Sequence, residues 1–171
     1  KVTNLGEFPT FLANNVKNNA LEVAANGEII YSIKGKVAKV SVIWNYEAPA
    51  GTGDTHYSIM RGTKAAIEIR QGKEENYKPT LYVLSESAKS EEVEAAIAKL
   101  NEKYTGIGIT KVAERKWKVE IPEVYNIGHE AHFGEVTERY LEYLKAGKLP
   151  DWEVPNMLTK YYVTMEGYKM A

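Results

Sequence analysis

Residues 44–72, WNYEAPAGTGDTHYSIMRGTKAAIEIRQG, decide how the chain is read. Two strand-like runs, Thr55–Arg61 and Lys64–Arg70, meet at Gly62-Thr63 behind a loop bearing Pro49, Gly51 and Gly53. The second run sets Ala65, Ile67 and Ile69 against Lys64, Glu68 and Arg70. Alternation with period two predicts a strand with one face buried and the other in water. A glycine opening a two-residue connection predicts a type II′ turn, which needs positive φ at that position. The polar cluster before the turn therefore sits on a rigid hairpin, where a site is expected.

Upstream, residues 1–19 read as loop, with Phe8, Phe11, Leu12 and Val16 able to anchor a short helical turn. Leu21–Ala25, Asn26-Gly27 and Glu28–Lys34 read as a hairpin, because Asn-Gly supplies the two positive-φ positions of a I′ turn. Lys34-Gly35 is the next break, and Val37–Tyr46 a long strand with Val40, Val42 and Trp44 on one face. Downstream, residues 71–79 form a polar loop and Thr80–Ser85 another strand, so the first half predicts one sheet with neighbours paired in order.

The second half changes to helical spacing. Ser90 reads as an N-cap ahead of Glu91 and Glu92, with Val93, Ile97, Leu100 and Tyr104 on one helical face. Ile109–Val112 and Lys116–Ile121 form a short strand pair ended by Pro122. A second helix is predicted over His129–Lys145, with Phe133, Val136, Tyr140, Leu141 and Leu144 on one face and Gly147 and Pro150 closing it. A third begins near Pro155. Strands followed by helices give an α+β fold: an open, mainly antiparallel β-sheet with helices packed on one face.

The chain has 171 residues, enough for one domain with a substantial core, and a net charge of −1. Lys and Arg are interleaved with Glu, so no nucleic-acid face is expected. Without cysteine, disulfides and thiolate metal sites are excluded. No apolar run has membrane-spanning length and no signal peptide is recognisable, so a soluble protein is expected, cytoplasmic or periplasmic. Lys1 in place of Met, followed by residues that read as mid-sequence, suggests a piece of a longer protein.

Asp54, His56, Tyr57 and Arg61 are the candidate substrate-binding residues. Asp54 and His56 are two apart, about 6–7 Å in an extended chain and on one face, where a carboxylate could fix the imidazole tautomer. Tyr57 and Arg61 fall together on the opposite face as donors to a hydroxylated or anionic ligand. The plainer reading has Asp54 closing the Gly-rich turn and His56 on the sheet surface. His129-Glu130-Ala131-His132 places two histidines at i and i+3, one residue short of the zinc-protease spacing, and reads as a helix-start surface, not a metal site. No nucleotide-phosphate loop and no nucleophile elbow occur. Gly51-Thr52-Gly53-Asp54 lies between strands and lacks a helix dipole for phosphate.

Two stretches resemble the C-terminal domain of the glucose–fructose oxidoreductase/inositol dehydrogenase (Gfo/Idh/MocA) family. Met60–Ile69, MRGTKAAIEI, resembles the family's sheet hairpin, and His129–Ala171 is similar to its closing helix, Gly-Pro break and final helix. GDTHYSIMRGTKA is closer still to the variant known as the putative oxidoreductase C-terminal domain. The resemblance implies a single substrate and assembly domain over residues 1–171, following an N-terminal Rossmann domain that holds NAD or NADP. It also implies a sheet face bordering a sugar or polyol substrate, and homo-oligomers built through that sheet. The family's catalytic Lys lies in an E-K-P motif that has no counterpart here, since Lys78-Pro79 follows Tyr77. Asp54 and His56 come too late in the sheet to be equated with its Asp and His, so catalytic residues stay unassigned and no cofactor is expected on this chain. The alternative is a non-catalytic carbohydrate-binding or assembly module, with Trp44, Tyr46, Tyr57 and Tyr82 stacking on a sugar or another subunit.

Overall fold

In the computed structural model, which describes residues 6–22, 26–44 and 48–171, strands and helices follow the expected order. The strands are β1 (Val16–Lys17), β2 (Ala20–Leu21), β3 (Gly27–Ile33), β4 (Lys36–Val42), β5 (His56–Arg61), β6 (Ala66–Gln71), β7 (Thr80–Leu84), β8 (Gly108–Ala113) and β9 (Lys116–Glu120). The helices are α1 (Ser90–Asn101), α2 (His129–Ala146) and α3 (Glu153–Met170). The fold is α+β, with every strand pair antiparallel. The chain divides into two compact units, one of residues up to 47 together with 149–171, the other of residues 48–148.

Pairing departs from the single ordered sheet. Among the described residues the strands form two separate hairpins, β1–β2 and β3–β4, and a five-stranded sheet in the order β5-β6-β7-β9-β8. The early hairpin turns at Lys34-Gly35, not at Asn26-Gly27. Lys34 (φ 48°) and Gly35 (φ 70°) supply the two left-handed residues of the turn. Gly27 instead pairs with Val42, and the Asn26 Oδ1 accepts the Trp44 N–H at 2.6 Å to close the open end. Of the predicted first arm, residues 23–25 lie outside the described residues, as do Asn45 and Tyr46 at the end of the second. This hairpin packs on a helix: a Cβ at Gly167 of α3 would sit 3.1 Å from the Ile29 Cδ1. α3 thus approaches β3 at a residue without a side chain, and begins two residues before Pro155.

In the second unit, β5 and β6 pair from His56↔Gln71 to Arg61↔Ala66. Their connection is a four-residue loop, Gly62–Ala65, and not a two-residue II′ turn. The Gly62 N–H donates to the Ala65 carbonyl at 2.9 Å, and a Cβ on Gly62 would lie 3.0 Å from that oxygen. Glycine is used here for close approach rather than for positive φ.

Directly paired residues share a face, so the register sorts the five strands into two sides. On one side Met60, Ile67, Val83, Trp117 and Lys111 form a row, beside Ile69, Leu81, Val119 and Ile109. Trp117 (2 % exposed) and Val119 are buried there, together with Val93 and Ile97 of α1, which packs beside β8. This cover stops short of the end of the sheet formed by β5 and β6: Met60 and Ile67 stay exposed. Ser90 is the first residue of α1 and not its cap. Lys89 precedes the helix, and its N–H donates to the Glu92 Oε2 at 3.0 Å. α2 ends at Gly147 as its pattern predicts, the Gly147 and Lys148 N–H groups donating to the Leu144 and Tyr143 carbonyls. Its apolar residues Phe133, Val136, Tyr140, Leu141 and Leu144 are all exposed.

Candidate functional site

The other side of the five-stranded sheet is polar. Tyr57 faces Arg70 and Thr80; Ile59 faces Glu68, Tyr82 and Lys118; Arg61 faces Ala66, Leu84 and Lys116. Glu68 lies in the middle of this surface and is only 3 % exposed. The alternation placed it on the side facing water. Its burial comes from the neighbours that the sheet brings in. The Arg70 Nε stands 3.1 Å from its Oε1, and the Lys116 Nζ 3.5 Å from its Oε2. These are ion pairs rather than aligned hydrogen bonds, since the Glu68 Oε2 and the Arg70 Nε have no hydrogen-bond partner.

Burial alone would raise the Glu68 pKa. The neighbouring Arg70, and then Lys116, outweigh it and hold the carboxyl below its ordinary value of 4.5. Both cations also lie against aromatic rings. The Arg70 guanidinium is 5.9 Å from the Tyr57 ring centre and the Lys116 ammonium 3.9 Å from that of Tyr82. The Tyr82 hydroxyl donates to the Glu75 Oε1 at 3.2 Å. Burial, followed by the charge of Glu75, pushes the Tyr82 phenol up, so it remains a donor. The result is a charged, stacked surface with Glu68 at its centre.

An open cleft lies at each end of the sheet. One, of about 550 Å³, is formed by the β5–β6 loop, the connection from β7 to α1, and the β8–β9 turn. Ser85, 5 % exposed, ties two of these together. Its hydroxyl donates to the Lys64 carbonyl at 2.7 Å and accepts the Ala88 N–H at 2.8 Å. Ser85→Ala leaves both backbone groups without that partner. It is expected to cost about 2 kcal/mol and to loosen the Gly62–Ala65 loop, read by thermal unfolding and by amide exchange at residues 62–65. The second cleft, about 350 Å³, is lined by His56, Tyr57, Arg70 and residues 71–75.

The four sequence candidates are therefore distributed. Tyr57 and Arg61 share the polar face, as the alternation requires, but at opposite ends of β5 and in different clefts. His56 falls on the other face, where its Nε2 meets the Ser58 Oγ at 3.1 Å, and Asp54 precedes the strand. Gly51–Asp54 leads into β5 and not into a helix, so these residues do not fit a dinucleotide phosphate. His129 and His132 open α2, with the His129 ring against Phe133 at 4.8 Å. Among the described residues no group of three or more His, Cys, Asp or Glu could hold a metal ion, and no helix is long and apolar enough to cross a membrane.

A family model described as "Putative oxidoreductase C terminal domain" matches residues 1–171. The chain belongs to this family. The oxidoreductase C-terminal domain is also similar to a solved crystal structure, a putative oxidoreductase from Parabacteroides merdae ATCC 43184. The two are 53% identical with a TM-score of 0.85, over 96% of this chain and 38% of that one. A search of curated proteins finds no match. The domain thus spans well under half the length of its structural relative.

Three residues at the centre of the polar face were not among the sequence candidates, Glu68, Arg70 and Lys116; Tyr82 beside them was named only as a stacking residue of the alternative reading. The alternation of β6 carried the signal for Glu68 and Arg70, as did Lys116-Trp117-Lys118-Val119-Glu120 for β9. Nothing local told that β9 inserts beside β7 and brings Lys116 to Glu68.

Proposed function

We propose that this chain is the substrate-side and assembly domain of an NAD(P)-dependent oxidoreductase acting on a sugar or polyol-like compound. The polar sheet face carries the reading: donors from Tyr57, Arg61, Arg70 and Lys116 on rigid strands suit a ligand rich in hydroxyl groups. Tyr57 and Arg61 contact the substrate from the two ends of β5. Asp54 and His56 contribute from the start of that strand, His56 through the far side of the edge. NAD or NADP is held by another part of the protein, an N-terminal Rossmann domain, because the Gly51–Asp54 loop does not suit its phosphates. The whole of residues 1–171 serves as one functional domain.

Assembly is supported by the exposed apolar groups on the sheet and helices, Met60 and Ile67 among them, which favour homo-oligomers formed through the sheet. A free-standing carbohydrate-binding module is less well supported. Tyr82 is occupied by Lys116 and Glu75, and Tyr46 lies outside the described residues. In the full-length protein, Tyr57→Ala and Arg61→Ala are each expected to lower kcat/KM about tenfold for the best sugar or polyol in an NAD(P)H-coupled screen. Unchanged kcat/KM in both would remove these residues from the site.

A further inference from the structure

We infer that the cleft at the Arg61 end of the polar face binds the anionic group of a sugar derivative, a carboxylate or a phosphate. The inference deepens the reading of this face as substrate-side and rests on it.

Its floor and walls follow from one cross-strand row. Arg61, Ala66, Leu84 and Lys116 are paired in sequence across β5, β6, β7 and β9. Three strand spacings separate Arg61 from Lys116, about 14 Å between Cα atoms, a gap that two long cationic side chains can close from either side. Between them stand a methyl group and a leucine, which leave the floor open and apolar. The volume, about 550 Å³, is in the range of small-molecule sites.

The charge is unbalanced in a specific way. Arg115 is neutralised by Glu86 and Lys116 by Glu68. Arg61 and Lys64, on opposite ends of the loop, have no ion pair or hydrogen bond from their side chains among the described residues. Glu114, at the β8–β9 turn, is the one lining acid without an ion pair there. Two free cations flanking an apolar floor favour an anion over a neutral hydroxyl, and the Arg61 fork matches carboxylate and phosphate oxygens in pairs. The Ser85 hydroxyl holds the Lys64 backbone in place, so the loop bearing one of the two cations is fixed before ligand arrives.

The test is calorimetric titration of the full-length protein with glucuronate, glucose 6-phosphate, inorganic phosphate and glucose, at low and raised salt. Saturable binding of glucuronate or glucose 6-phosphate at least tenfold tighter than glucose, weakening with salt, is the expected result. The tighter of the two identifies the anion. Arg61→Met is expected to weaken that ligand about tenfold and glucose by a smaller factor, so that the preference for the anion narrows, with Arg61→Lys intermediate. Arg61 is exposed, so these variants retain the melting temperature of the parent. Equal affinity for glucose and both anions, or an anion affinity indifferent to Arg61→Met, overturns the inference. If turnover of a neutral sugar persists in that case, only the anion site falls. If no sugar is turned over by the full-length protein at all, the reading of the domain falls with it.

Discussion

Trp117→Ala is expected to remove about 3–5 kcal/mol of stability from the unit formed by residues 48–148, a large share of what a domain of this size possesses. Trp117 is 2 % exposed, the deepest apolar residue among those described, and it lies under the same cover as Val119, Val93 and Ile97. No other side chain there is large enough to fill the space an indole vacates. Its indole N–H has no acceptor, so the loss comes from packing and cavity formation and not from a broken hydrogen bond. That separates two substitutions. Trp117→Phe keeps most of the ring and removes an unpartnered donor, and is expected to cost less than half as much as Trp117→Ala. Calorimetric unfolding of the three chains checks this; equal losses for Phe and Ala would mean that packing of the ring is not what Trp117 contributes.

Glu68→Gln is the second large effect, about 2–3 kcal/mol at neutral pH, somewhat below the usual cost of breaking a buried pair because Arg70 and Lys116 are partly exposed. The substitution leaves two cations on the sheet face without their shared carboxylate. The pH dependence has a definite sign. The folded-state pKa of Glu68 lies below 4.5, so its contribution is complete above the unfolded-state value and is lost as pH falls through the lower folded one. The gap in melting temperature between the parent and Glu68→Gln should accordingly be full at neutral pH and close in acid. A gap that widens in acid would mean that burial, and not the two cations, controls this carboxyl. The same variant also frees Arg70 and Lys116 from their anchor, so on the proposed reading of this face as substrate-side it lowers substrate affinity along with stability.

These two residues also show what could be read without coordinates. The alternation of residues 64–70 was enough to place Ile67 and Ile69 on one side and Glu68 and Arg70 on the other, since in a strand the side is decided by parity alone. Helical spacing likewise placed α1 and α2, and Gly147 marked the end of α2 as the residue able to accept a left-handed turn. Lys34-Gly35 was legible as a break and is where the chain turns, whereas Asn26-Gly27 is not a I′ turn, because Gly27 is taken into β3 by a seven-residue register that pairs it with Val42.

The likeness of MRGTKAAIEI and of residues 129–171 to known oxidoreductases was legible in the chain itself, because a family's pattern is carried by residues in order. Strand order was not. Whether β8 and β9 form a separate pair or extend the sheet depends on contacts between residues tens of positions apart, and local preference is silent on these. That insertion turned Glu68 from a water-facing residue into a buried one, brought Lys116 to it, and put Arg61 and Lys116 in one row. Parity along each strand, a local property, determined the two faces of the sheet. Which strands became neighbours, and hence which charges met, was decided only when the tertiary structure formed, because burial and pairing energies belong to the assembled sheet and not to any segment of it.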